Sequence, residues 1–363
     1  MNTAREYGVA SATNGAAEFE PPMVPVGLKL ASSPQQKKST RIPALDFTKG
    51  VLVLVMVLYH WLNYFAGPSG LIYVYLQFLP PSFICITGFL VSQVYLAKYG
   101  VSDLHLPGRL AVRGAKILAI FVLLNIAIGL LGRGAISMFT PEAAKAIYLT
   151  GNMPGGRLVA FYVLVPISYV LLLSAILLIV CRPSQRAFQW VCGILPLGVL
   201  GFDLLGFKSA NLEFLAIGML GVSIGFIPMA QINRTLRHPY FIVLAYCAYL
   251  AAITLWNVPY PMLIVGVVLT LLLFYLIGSL SGDSAWTPQA IILLGKYSLV
   301  GYIAQIAILQ GMRRILRFSD LSPAGLFASF AAAVILTFAV VQVVDRSRTK
   351  APLVNRMYAA VFS

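Results

Sequence analysis

One pattern dominates the chain: stretches of about twenty residues almost without charge, split by short connectors that carry Lys, Arg, Pro or Gly. Crossing a bilayer as a helix takes roughly 20 apolar residues. Ten segments have that length and character, at 44–65, 71–96, 110–132, 158–181, 188–206, 211–230, 240–256, 261–281, 290–312 and 325–344. Their apolar residues run continuously and do not alternate, which selects helices over a barrel. Charged residues make up only 10% of the 363, against about 25% in soluble domains. The predicted fold is an all-α integral membrane protein, with about ten transmembrane helices in one bundle. Residues 1–40 are rich in Ala, Ser, Pro, Glu and Gln and contain no signal-peptide core, so they read as a disordered cytoplasmic leader. Residues 41–346 then form the membrane domain, and 347–363 a short cytoplasmic tail.

The formal net charge of +15 invites a nucleic-acid partner, but the basic residues form no stripe. They sit in small clusters between apolar runs, as orientation signals do. With the amino terminus inside, 16 Lys and Arg fall in inner segments and 7 in outer ones, which predicts an inner (plasma) membrane protein with both termini cytoplasmic. Arg313, Arg314 and Arg317 run against that rule. In the longest outer connection, Thr140-Pro141-Glu142 is a helix-start signal and predicts an interfacial helix. The four residues 207–210 between two short runs suggest a tight re-entrant turn. Cys85, Cys181, Cys192 and Cys247 lie within or beside apolar runs without metal spacing, so they read as small buried hydrophobes. No metal is expected, and no Walker, HExxH, GxSxG or Rossmann pattern is present.

The first span carries unusual polar residues, and charge inside a membrane is costly enough to require a partner or a function. From Lys49 to His60 the helix turns about 1100°, only about 20° from alignment, and Asp46 lies about 40° from His60 on the other side. These three share a stripe with Val53, Met56 and Val57. The rise from Lys49 to His60 is roughly 16 Å, about half the hydrocarbon thickness. Two readings fit. Asp46 and Lys49 can be an i,i+3 pair at the inner interface, with His60, Trp61 and Tyr64 an aromatic belt. Alternatively the stripe is a polar track, with a cation low down to hold a phosphorylated donor and an imidazole higher up to take a proton.

The stretch Arg41-Ile-Pro-Ala-Leu-Asp46-Phe-Thr-Lys49-Gly50, followed by an apolar run to His60, resembles the opening of the acyltransferase-3 superfamily of transmembrane acyltransferases. That group includes sugar O-acetyltransferases and OpgC-like glucan succinyltransferases. Pro81 to Leu90, with Thr87-Gly88-Phe89-Leu90, is similar to the family's second span. Leu294-Gly295-Lys296-Tyr297-Ser298 through Tyr302 to Gln305 is similar to a late span. Two positions depart from the pattern: Lys49 stands where the family usually has Arg, and Gln305 where it often has His. The resemblance implies acyl-CoA as co-substrate and a carbohydrate or glycan acceptor. It implies His60 as general base or transient acyl carrier, and Lys49 as a donor-binding cation positioned by Asp46. Tyr297, Ser298, Tyr302 and Gln305 would line the channel.

Five further positions join the candidates. Glu213, near the outer end of its run, could orient His60. Arg109, Arg113 and Lys116 at the inner end of the third run either mark topology or hold donor phosphates. Arg157, after two glycines, could meet an anionic acceptor. His105 and His238 read as surface residues. The rival from another class is a transporter or flippase for an amphipathic or anionic solute, with the same stripe lining its path. Oligomeric state is not encoded in any of these features.

Overall fold

The structure, a computed structural model, describes residues 42–67, 70–131, 140–151, 159–182, 184–256, 260–281, 286–315 and 322–362. The leader and Arg157 lie outside the described residues. Within them the chain is helical, with no strand. Helix α1 (Pro43–Trp61) passes into a π turn over Leu62–Ala66. After α2 (Gly70–Leu76), α3 (Leu79–Leu90) continues through a π turn at Val91–Leu96 into α4 (Ala97–Tyr99). Then come α5 (Leu106–Leu131), α6 (Pro141–Lys145) with a π turn over Ala146–Thr150, α7 (Leu164–Val180), α8 (Gln185–Leu204), α9 (Ala210–Ile224) and α10 (Met229–Thr235). The last part holds α11 (Pro239–Leu255), α12 (Tyr260–Leu280), α13 (Trp286–Lys296), α14 (Ser298–Ile315), α15 (Pro323–Lys350) and α16 (Pro352–Phe362).

All ten apolar segments fall on helices. Six helices are long and apolar enough to cross a membrane, and two bent pairs bring the number to eight. The apolar helices α7 and α11 are shorter, at 17 residues each. The protein is therefore a multi-pass, all-α membrane protein. The expected turn at 207–210 is an ordinary connection between α8 and α9. The sharp bends lie elsewhere, 99° between α9 and α10 and 92° between α13 and α14. The second of these breaks the ninth apolar segment at Tyr297. The helix signalled at Thr140 is present as α6, capped by the Thr140 side chain, which accepts from Ala143 N at 3.2 Å.

At the centre of the bundle α1 packs against α3, α12, α13, α14 and α15. Its stripe faces inward, since Val53, Met56 and Val57 are all buried. Glycine allows the closest crossing: a methyl on Gly295 would overlap the Asp46 carbonyl oxygen, and one on Gly50 the Ile291 carbonyl oxygen. Backbone thus meets backbone between α1 and α13, as small residues permit in membrane helix pairs. That contact places the α13–α14 break beside Asp46 and Lys49. Cys85, Cys181 and Cys192 are buried as expected, whereas Cys247 is exposed on the apolar helix α11; all four are free thiols.

Candidate active site

A cavity of about 590 Å³ opens at the Lys49 end of α1. Four cations line it: Lys49, Arg113, Lys296 and Arg348. Lys49 pairs with Asp46 at 2.5 Å, and Lys296 with Asp345 at 2.8 Å. No carboxylate lies within 4 Å of either guanidinium among the described residues. Arg113 Nη1 instead donates to the Tyr95 hydroxyl and lies over that ring. The cations therefore exceed their paired carboxylates by two, and a low-dielectric wall focuses such an excess on an entering anion.

The helix break explains how α13 and α14 serve this cavity. At the bend, Tyr297 is buried in the bundle while its hydroxyl donates to Asp345 at 2.7 Å and accepts from Arg348 at 3.1 Å. Ser298 and Tyr302, one turn later, also face the cavity. Of the late-span candidates only Gln305 does not line it. That side chain is fully buried, and neither its Oε1 nor its Nε2 has a hydrogen-bond partner.

His60 lies beyond the cavity's far end. The direct line along α1 from Lys49 is sealed, because Val53 packs with Leu294, Tyr297 and Val341, and Val57 with Leu309 and Ala333. Tyr302 lines the cavity, and its ring centroid is 6.3 Å from that of His60, which does not line it. Tyr59 and Tyr64 complete an aromatic box at 5.3 and 6.5 Å. His60 Nε2 is buried in it with no hydrogen-bond partner. Buried unpaired nitrogen costs about 1–3 kcal/mol, so such atoms are rare outside functional sites. Two strained features adjoin the box. α1 slips into its π turn directly after Trp61, and Phe161, which meets Tyr302 edge-on at 5.8 Å, holds φ at 61°.

Three expected placements do not hold. Glu213 makes no hydrogen bond with His60; it sits in the first turn of α9, where its electrostatic neighbours are Asp203, Lys208 and Tyr162. Arg109 points to the surface and stacks on Tyr99 at 4.4 Å, and Lys116 does not line the cavity. Only Arg113 of the third-span group reaches it, because α5 turns one face inward against α7. His105 and His238 are exposed, as expected. Sequence reasoning missed Lys296, Arg348, Tyr95 and Tyr358, all of which line the cavity. Lys296 stood inside a quoted motif, and Arg348 had been counted only as an orientation charge.

A cationic cavity lined by Tyr302, with a histidine whose buried ring nitrogen is unpaired packed behind that ring, suits group transfer from an anionic donor. Comparison with protein families finds an acyltransferase domain over residues 42–346. The chain belongs to the acyltransferase-3 family. Its matched region begins at α1 and ends within α15, so every span described above lies inside it except the last four residues of α15. Neither a curated protein nor a solved structure matches the chain significantly. Among the described residues, no group of three or more His, Cys, Asp or Glu side chains could hold a metal ion.

Proposed function

We propose that the protein moves an acyl group, acetyl or succinyl, from cytoplasmic acyl-CoA to a hydroxyl of a carbohydrate or glycan at the outer face of the inner membrane. The observation that carries this reading is the cavity itself. It is lined by two guanidiniums with no carboxylate within 4 Å and by Tyr302, which packs against a histidine with an unpaired ring nitrogen.

The anionic nucleotide half of the donor is held at the cationic end by Arg113, with Lys49 oriented by its ion pair to Asp46. The thioester arm then extends along the cavity towards Tyr302. His60 Nε2 takes the proton of the acceptor hydroxyl as its oxygen attacks the thioester carbonyl. The new C–O ester bond forms, the C–S bond breaks, and the coenzyme thiolate leaves and is reprotonated. Tyr302 stands where the two substrates must meet, and its ring must yield for the thioester to reach the imidazole. Family membership favours this chemistry over solute transport, in which a thioester would stay intact.

The test is incubation of membranes with radiolabelled acetyl-CoA or succinyl-CoA and total cell-envelope glycans, comparing wild type with His60→Ala. Label on glycan in wild type alone is expected. Equal label in both would remove His60 from the mechanism, and no label with either donor would remove the donor assignment.

A further inference from the structure

The family match stops at residue 346, yet the cavity does not. Arg348, in the last turn of α15, and Tyr358, on α16, both line it. Ala351 is extended and Pro352 opens α16, so the chain turns sharply and brings α16 back onto α15 and α5. Residues 347–362, expected as a tail, are thus helical and packed on the membrane unit.

Arg348 is held on every side by this turn. Its Nε and Nη2 donate to Asn355 Oδ1 at 3.1 and 2.8 Å, and its Nη1 donates to the Tyr297 hydroxyl at 3.1 Å. The guanidinium lies 3.8 Å over the Tyr358 ring and 5.4 Å from the Tyr297 ring centroid. A guanidinium has five N–H groups, and these bonds use three. One N–H on each terminal nitrogen remains to donate to an oxyanion. Two aromatic faces and a shared amide oxygen fix its orientation before any ligand arrives.

The rest of α16 explains why it stays in place. Among its described side chains only Tyr358 is half-buried; the others are exposed. Leu353, Met357 and Val361 are exposed apolar residues at i, i+4 and i+8, and they share an arc of about 80°. Such a helix lies in the membrane interface with its apolar face towards the acyl chains. Asn355 and Tyr358 lie on another edge, the one turned to Arg348 and the cavity.

The geometry points to a phosphate-binding site built by the C-terminal segment: Arg348, aimed by Asn355 and Tyr358 of α16, binds a phosphate of the nucleotide half of acyl-CoA at the cavity mouth. This rests on the acyl-CoA reading above. Arg113 on α5 faces the same cavity, so the donor phosphates are gripped from two sides. The donor site is therefore completed by residues outside the matched acyltransferase domain.

Two donors separate a phosphate contact from a structural role. Thiol release is followed in detergent-purified protein, with total cell-envelope glycans as acceptor, using acetyl-CoA and S-acetylpantetheine, which carries the same thioester without the nucleotide phosphates. Wild type should prefer acetyl-CoA in kcat/KM. Arg348→Gln should cut that preference about tenfold or more, the size of a lost charge-assisted bond. Tyr358→Leu, or a chain ending at Lys350, should cut it in the same direction. A merely structural role lowers both donors together and leaves the ratio unchanged. An unchanged ratio in Arg348→Gln overturns the inference while the donor reading stands, and the point variants decide the matter if the shortened chain fails to fold. Equal use of both donors by wild type also overturns it. If wild type cleaves neither thioester, the donor reading falls and this site falls with it.

Discussion

Polar side chains in this bundle are informative because each one that is buried needs a partner. Lys49 has Asp46, and Lys296 has Asp345. His60 Nε2 and the Gln305 amide have none. For His60 the missing partner is the acceptor hydroxyl of the proposed reaction. His60→Ala should lower transfer at least about a hundredfold, the low end for general-base catalysis, while leaving the thermal melt unchanged. A variant retaining transfer would clear the histidine of that role. The cations divide as the cavity divides them. Arg113→Gln should raise KM for acetyl-CoA about tenfold at constant kcat, the signature of lost uniform binding. Arg109→Gln, stacked on Tyr99 at the surface, should leave KM where it was. The reverse ranking would show that the donor enters by another face of α5. Three of these residues, Asp46, Lys49 and His60, were legible from helical spacing alone, since a 3.6-residue period fixes which side chains share a stripe. Glu213 was not, because its distance from His60 depends on how α9 packs and no periodicity contains that.

The sharp bends and the glycine crossings are what turn a row of helices into a site. The break at Tyr297 lets one apolar segment supply Lys296 from one helix and Ser298 and Tyr302 from the next. Its position is held by the α1–α13 contact, in which Gly295 leaves no room for a side chain against Asp46. Gly295→Leu should therefore force the helices apart and cost about 1–3 kcal/mol or more, read as a lower melting temperature together with loss of transfer. Gly311→Ala, with nothing within 4 Å of the added carbon, should be neutral or raise stability slightly. Similar melts for the two variants would show that the crossing is looser than the structure has it. The helix-start signal at Thr140 was readable because capping is local chemistry: one hydroxyl meets one backbone amide three residues on. The break at Tyr297 carried no such signal. Gly295, Lys296 and Ser298 interrupt the apolar run there, but such a group also fits inside a continuous helix, so the bend itself is set by packing.

For the whole molecule, orientation decides which compartment supplies the donor. The balance of basic residues predicts that the Arg348 end faces the cytoplasm. In a background lacking native cysteines, Arg356→Cys on α16 should react with a membrane-impermeant maleimide only after the membrane is opened. Lys145→Cys, beside α6, should react in intact cells. The opposite pattern would invert the protein and put the cationic cavity on the side where acyl-CoA is absent. By itself the sequence determined the multi-span helical architecture and the family, because both are written in local quantities: the length of apolar runs, the period of a helix, and short motifs in order. It also determined that Lys49 and His60 share one face of α1. Only the tertiary structure decided that Val53 and Val57 are packed over on that face, that Tyr302 lines the cavity beside His60, and that residues beyond 346 return to the cavity. Those outcomes depend on which distant helices touch, and contact between residues hundreds of positions apart is fixed by shape complementarity across the bundle, which no window along the chain can read.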